Sequence, residues 1–217
     1  MPKFKKFLDQ NSPFLVNYAL FLMAGFWFCA NFEKVEGHVI LNGFHGEIGD
    51  ALFPVLTKFG EAALVVTLVI ITPFISWRTF ITFACAYLIG GIIVLLGKYL
   101  IFNDVVRPKT IMEGIANFHF VEGVKLRSLH SFPSGHTQTG FTVFFFTALL
   151  LKNASLKRVC WVFAILIGFS RVYISQHFLE DIIAGSLIAV VCTSASYLFW
   201  QGKKNKWLDK SLLTKKL

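Results

Sequence analysis

Six residues in the second half of the chain carry the groups that phosphate chemistry needs. They comprise three cations, two histidines and one aspartate: Lys98, Arg107, Arg171, His136, His177 and Asp181. Each lies beside a long apolar run, where an unneeded charge is costly, so such charges are candidates for function. Guanidinium groups pair with phosphate oxygens bidentately, and lysine adds a point charge. The set therefore predicts a binding site for a phosphate dianion.

Two histidines in one such site indicate covalent phosphoryl transfer. One neutral imidazole can attack phosphorus and form a phosphohistidine, while the other, protonated, can protonate the leaving alkoxide. His177 and Asp181 are spaced i, i+4, so on one helix they share a face. The carboxylate then holds one ring nitrogen as N–H and directs the other towards the substrate.

The stretch SFPSGH, Ser131 to His136, stands directly before the apolar run TQTGFTVFFFTALLL. Pro133 suits the first turn of a helix, and Ser134 can cap that helix and donate to phosphate. Gly135 lets the backbone approach a ligand closely. Free backbone N–H groups at a helix start are further donors to an anion. The stretch therefore predicts a phosphate-binding helix N-terminus.

The composition predicts a lipid environment for the rest of the chain. The 217 residues are 55% hydrophobic and 15% charged, with 25 Phe and a mean hydropathy of +0.64. A span needs about 20 mainly apolar residues. Six runs are candidates: Phe14–Phe32, Ala62–Trp77 (extendable back towards Ala51), Thr79–Gly97, Thr137–Leu151, Leu156–Gln176 and Ile182–Gly202. We therefore predict an all-α polytopic membrane protein with six transmembrane helices.

Basic residues predict the orientation of these helices. Four segments on one side of a six-span protein hold 13 of the 21 lysines and arginines: Lys3, Lys5 and Lys6; Arg78; Lys152, Lys157 and Arg158; and Lys203, Lys204, Lys206, Lys210, Lys215 and Lys216. Cytoplasmic ends carry such an excess. We expect both termini in the cytoplasm, residues 203–217 as a basic cytoplasmic tail, and the active site at the outward-facing helix ends. The dispersal of these lysines argues against nucleic acid as a partner of the chain, whose net charge is +9.

The chain resembles the type-2 phosphatidic-acid phosphatase superfamily, which carries three motifs. They read here as Lys98 followed by Arg107-Pro108, then Pro133-Ser134-Gly135-His136, then Ser170-Arg171 with His177 and Asp181. The second and third match in full. In the first, eight residues separate Lys98 from Arg107, where six is usual. The motifs cover residues 98–181, and the apolar runs extend the resemblance over 1–217, which we interpret as a single integral-membrane domain.

The resemblance implies a role for each motif residue. His177 would be the nucleophile, Asp181 its carboxylate partner and His136 the acid that protonates the leaving group. Five residues would bind phosphate: Lys98, Arg107, Ser134, Gly135 and Arg171. No metal or other cofactor is implied, and the outward connections lack the carboxylate cluster that Mg²⁺ or Ca²⁺ needs.

The function that follows is metal-independent hydrolysis of a membrane lipid phosphate on the outer face of a bacterial inner membrane. Undecaprenyl diphosphate and lipid A are the favoured substrates. One alternative is phosphotransfer to a lipid or sugar hydroxyl through the same intermediate. Vanadate-dependent halide oxidation shares the motifs, but six lipid spans argue against it. A different class is a non-catalytic protein that binds or transports anionic lipid, although transport favours charges near the bilayer midplane. The oligomeric state stays open.

Three further expectations concern residues outside the motifs. Lys58 and Glu61, spaced i, i+3, are expected to form an interfacial ion pair. Residues 33–50 are expected to form a plain surface loop, with a short amphipathic helix or lid as the alternative. Three histidines are expected to serve only in interfacial packing: His38, His45 and His119.

Overall fold

The computed structural model describes residues 2–214, and all regular structure within that range is helical. The nine α-helices are α1 (Pro2–Asn31), α2 (Lys34–Asn42), α3 (Glu47–Leu56), α4 (Ala62–Ile75), α5 (Trp77–Leu96), α6 (Pro108–Met112), α7 (Gly135–Leu150), α8 (Ala154–Tyr173) and α9 (Leu179–Gly202). A 3₁₀ turn covers Thr57–Gly60, a π turn Gly97–Ile101 and a second 3₁₀ turn Lys206–Asp209. The prediction of an all-α protein is confirmed. Met1 and residues 215–217, which include the predicted cytoplasmic lysines Lys215 and Lys216, lie outside the described range.

Each of the six apolar runs is helical, but fewer helices have the length and composition of a membrane span. Three qualify: Lys3–Asn31, Trp77–Ile101 and Leu179–Gly202. The pair Glu47–Gly60 and Ala62–Ile75, bent by 42°, makes a fourth if it counts as one span. Helix α7 has only 16 residues, and α8 contains Lys157, Arg158 and Arg171. The chain is an integral membrane protein, and the count of six spans stays a prediction.

Helices α7, α8 and α9 form the centre of the bundle. Phe141 and Phe145 of α7 are fully buried, together with Ala164 of α8 and Ala189 of α9. Helix α7 is buried on nearly every side, which allows a short helix to be apolar all round. At its start, Gly185 of α9 lies directly against the carbonyl of Ser134, where a Cβ would collide. This close approach fixes the start of α7 against the start of α9.

The predicted basic segments lie together at one end of the bundle. Lys157 Nζ donates to Asn11 Oδ1 at 2.6 Å, and the Arg78 side chain pairs with Asp209 at 2.7 Å. Leu208 of the tail is fully buried. The described part of the tail therefore packs against the bundle. The starts of α7 and α9 and the ends of α5 and α8 lie at the opposite end.

The expectation of a surface loop over residues 33–50 is wrong, because the segment forms α2 and the start of α3. Gly37 allows α2 to pack against Phe28, and His38 is only 3% exposed. Burial lowers the pKa of His38 to about 4. The other two histidines of this region are not buried like His38. His45 stacks on His119 with ring centroids 4.1 Å apart, and His119 Nε2 lies 2.9 Å from an oxygen of Asp50.

Candidate active site

A cavity of about 1190 Å³ opens at the end of the bundle opposite the basic segments. Six of the eight predicted site residues line it: Lys98, Arg107, Gly135, His136, Arg171 and His177. The other two, Ser134 and Asp181, are fully buried beside it, and the Ser134 N–H donates to the Asp181 carbonyl at 3.0 Å. The structure therefore brings all eight residues to one end of the helices.

His177 and Asp181 form a buried pair, with Nδ1 and Oδ2 3.1 Å apart and side chains 2% and 0% exposed. The prediction that they share a helix face is wrong, because α9 begins only at Leu179. His177 lies in the connecting loop, where Ser175 has a φ of +54°. Asp181 occupies the first turn of α9, and its carboxylate also accepts from the Phe178 N–H at 3.0 Å. The helix start therefore fixes the pair.

The neighbours of His177 determine its tautomer. An arginine N–H can only donate, so Arg107 Nη1, 3.3 Å from His177 Nε2, meets a lone pair on that nitrogen. The ring proton then lies on Nδ1 and is donated to Asp181. Burial, with Arg107 and Arg171 nearby, lowers the pKa of His177 well below its usual range. The imidazole is therefore neutral at neutral pH, with Nε2 beside the cations of the cavity.

Lys98 and Arg107 meet at one backbone carbonyl despite their wider spacing. The Lys98 ammonium donates to the His130 carbonyl at 2.7 Å, and Arg107 Nη2 donates to the same oxygen at 3.2 Å. Arg107 also donates from Nε to the Leu129 carbonyl and from Nη1 to the Gln176 carbonyl, each at 2.9 Å. Burial lowers the pKa of Arg107 to about 10, which leaves it cationic at neutral pH.

Arg171 is the third cation of the cavity and is 7% exposed. Its Nη1 donates to Thr57 Oγ1 at 2.6 Å. Its Nε is buried and has no hydrogen-bond partner among residues 2–214. Because buried polar groups are normally paired, a free donor in a cationic cavity favours an anionic ligand.

The start of α7 has the predicted capped geometry. Ser134 Oγ accepts from the Thr137 N–H at 3.4 Å and from the Thr137 hydroxyl at 2.9 Å. Gly135 and His136 follow as the first residues of the helix. The positive end of the helix dipole therefore faces the cavity and favours an anion there.

Sequence reasoning missed three residues of the site. The Ser131 hydroxyl donates to Asp181 Oδ2 and lies 3.5 Å from His177 Nδ1. Gln176 Oε1 accepts from Arg107 Nη1 at 3.0 Å. Thr57 comes from the turn after α3, far from any motif. Only Ser131 could have been found from the sequence, because it is the first residue of the SFPSGH stretch.

The predicted Lys58–Glu61 ion pair is absent from the ion pairs of residues 2–214. The helical turn ends at Gly60, and Glu61 has an extended backbone, so spacing i, i+3 does not bring the two side chains together. Glu61 Oε1 instead lies 3.8 Å from His136 Nε2. Within the described range, no group of three or more histidine, cysteine, aspartate or glutamate residues has the arrangement to hold a metal ion.

Comparisons with known proteins identify the family and the fold of the chain. A family model described as the PAP2 superfamily matches residues 79–205. Three curated relatives are similar over a shorter stretch. Lipid A 4'-phosphatase of Porphyromonas gingivalis is 29% identical over 38% of this chain and 35% of its own length. The probable lipid phosphate phosphatase 4 of Arabidopsis thaliana is 34% identical over 37% of this chain and 30% of its own length. The bacitracin transport permease protein BcrC of Bacillus licheniformis is 32% identical over 38% of this chain and 39% of its own length.

Each match thus spans between 30% and 39% of the relative's own length.

Two solved structures share the fold. Aquifex aeolicus LpxE has a TM-score of 0.64 at 22% identity and covers 75% of this chain and 93% of its own. The first transmembrane PAP2 type phosphatidylglycerolphosphate phosphatase from Bacillus subtilis has a TM-score of 0.59 at 19% identity, with coverages of 90% and 98%.

Proposed function

The chain belongs to the PAP2 superfamily, whose model matches residues 79–205, and we propose that it is a phosphatase that hydrolyses a membrane lipid phosphate through a phosphohistidine intermediate. The buried His177–Asp181 pair carries this proposal. It holds a neutral imidazole with its lone pair on Nε2, in the wall of a cavity with three cations. A protein that only bound anionic lipid would need the cations without this pair.

The first step transfers the phosphoryl group to the enzyme. His177 Nε2 attacks phosphorus, the P–N bond forms, and the bond from phosphorus to the lipid oxygen breaks. Protonated His136 donates its proton to the leaving oxygen, which gives the lipid alcohol, or a lipid monophosphate from a diphosphate. Lys98, Arg107 and Arg171 stabilise the charge on the equatorial oxygens. Asp181 compensates the positive charge that develops on the phosphorylated imidazole.

The second step returns the enzyme to its starting state. Water attacks phosphorus, neutral His136 accepts a proton from that water, and the P–N bond breaks. Inorganic phosphate leaves, the His177 lone pair returns to Nε2, and Nδ1–H remains bound to Asp181. No metal takes part, because the cations and the N-terminus of α7 provide the charge stabilisation.

The substrate is an anionic membrane lipid, and we favour undecaprenyl diphosphate or lipid A. Besides the three motif cations, Lys125 and Arg127 also line the cavity. These extra charges suit a diphosphate or a glycolipid with several anionic groups. The relatives include a lipid A 4'-phosphatase, which supports a lipid phosphate of this kind as the substrate.

The topology that fits this function has six spans, with both termini in the cytoplasm and the cavity on the outer side of a bacterial inner membrane. In a cysteine-free background, a thiol at Glu47→Cys should react with a membrane-impermeant maleimide in intact cells. A thiol at Lys152→Cys should react only after lysis, because it lies at the end of the bundle that carries the basic segments and faces the cytoplasm in this topology. The reverse pattern would overturn the orientation.

The function is tested by phosphate release from a lipid panel. Detergent-purified protein is incubated with undecaprenyl diphosphate, lipid A, phosphatidylglycerol phosphate or phosphatidic acid, with and without EDTA. We expect release from at least one lipid and no effect of EDTA. Release that EDTA abolishes would contradict the metal-independent mechanism. No release from any lipid would contradict hydrolysis, and transfer to an added lipid hydroxyl would then support phosphotransfer.

A further inference from the structure

The bend between α3 and α4 brings the segment Thr57–Glu61 to the wall of the cavity. The two helices meet at 42° across this segment. It lies outside residues 79–205, which the family model matches, and outside the three motifs. Its contacts with the site are therefore not made by motif residues alone.

Two contacts hold the segment in place. The buried Thr57 side chain accepts a hydrogen bond from Arg171 Nη1 at 2.6 Å. Gly60 lies against the first turn of α7, where an added Cβ would be 3.0 Å from the His136 carbonyl and 3.2 Å from its Cβ. A glycine here allows the turn to pack on His136, and Glu61 follows directly.

Glu61 is the one carboxylate among the described residues that line the cavity. Its Oε1 lies 3.8 Å from His136 Nε2, a distance that allows an ion pair without a direct hydrogen bond. The other charged side chains of the cavity come from every element around it and are all cations: Lys58, Lys98, Arg107, Lys125, Arg127 and Arg171. Like charges oppose a further proton on an imidazole, and an adjacent carboxylate favours it.

We propose that Glu61 is a positioning residue that favours the protonated form of His136 in the first step of the reaction. The inference rests on the proposed function, in which His136 donates a proton to the leaving oxygen. Burial, and after it the same cations that bind phosphate, lower the pKa of His136 to about 3, and a bound phosphate dianion would offset those cations. The Glu61 carboxylate, 3.8 Å from His136 Nε2, opposes their effect at the ring itself.

The direct test follows the ring of His136 without turnover. Purified protein in detergent micelles is labelled with ¹³C-histidine, and the His136 resonance is assigned by its loss in His136→Gln. We expect Glu61→Gln to lower the titration midpoint of His136 by about one pH unit, the lower end of the range of about 1–3 units for a nearby opposite charge, because the Glu61 side chain is 57% exposed. Glu61→Asp should retain most of the wild-type midpoint. Glu47→Gln, a matched change at an exposed position of α3, should leave it unchanged.

An unchanged midpoint in Glu61→Gln would overturn the inference. Because the titration is independent of catalysis, that result is distinct from a failure of the proposed function, which shows as absent phosphate release by the wild type. In the active enzyme, Glu61→Gln should move the basic limb of the kcat profile to lower pH by the same amount, with KM little changed. A loss of kcat equal at every pH would indicate a structural role of the turn and would also overturn the inference.

Discussion

His177→Ala is expected to abolish phosphate release, with a loss of at least about 10⁴-fold in kcat, as for removal of a catalytic nucleophile in other covalent enzymes. The imidazole Nε2 is the atom that would form the bond to phosphorus, and alanine has no lone pair to replace it. Phosphate release from the most reactive lipid of the panel, followed over several hours, measures the effect. Brief incubation with ³²P-labelled lipid should also trap an acid-labile phosphoenzyme in the wild type and none in the variant.

The matched control is His119→Ala. His119 also pairs with an aspartate, Asp50, at 2.9 Å, but it lies outside the cavity. We expect this variant to keep near-wild-type release and to form the phosphoenzyme. Release by His177→Ala comparable to that of the control would remove His177 from the nucleophile role and contradict the proposed mechanism.

The helices could be predicted from the sequence wherever an apolar run was long. Each of the six runs became helical, because lipid or a packed bundle leaves the backbone no other way to satisfy its hydrogen bonds. The short helices α2 and α3 were missed, since Gly37, Gly43, Gly46 and Gly49 made residues 33–50 look like a loop. Their stability comes from tertiary contacts, such as Gly37 against Phe28, which no local pattern reveals.

The position of the site at one end of the bundle could also be predicted, because each motif residue stands at the end of an apolar run. The residues that support the motif side chains could not be predicted. Thr57 and Arg171 are separated by 114 positions, and Ser131 and Asp181 by 50. Such contacts depend on how the helices pack, and a serine or threonine in a connecting segment has no distinctive spacing.

Two predictions made from spacing had different outcomes for a physical reason. His177 and Asp181 do make the predicted contact, although the helix start, rather than a shared helix face, brings them together. Lys58 and Glu61 do not, because the helical turn ends between them. The i, i+3 and i, i+4 rules hold only within a continuous helix, and both pairs lie at a helix boundary.

Asp181→Asn is expected to lower kcat by about 10⁴-fold while the fold is retained, the magnitude seen when an amide replaces the aspartate of a serine-protease triad. Asp181 Oδ2 accepts from the His177 ring, the Ser131 hydroxyl and the Phe178 N–H. An asparagine oxygen can still accept from the Phe178 N–H, which keeps the start of α9. The same oxygen can still accept from His177 Nδ1–H, but the neutral amide no longer compensates the positive charge that develops on the phosphorylated ring.

The imidazole would then keep its lone pair on Nε2 but lose its anionic partner. Asp50→Asn is the matched control, because it makes the same change in the Asp50–His119 pair outside the cavity. We expect both variants to unfold at nearly the wild-type temperature and only Asp181→Asn to lose activity. A rate within tenfold of the wild type would show that the reaction does not need the negative charge of Asp181. A loss confined to Asp181→Asn would instead assign the effect to the missing negative charge beside His177, since the size of the side chain, the fold and the cap of α9 are unchanged.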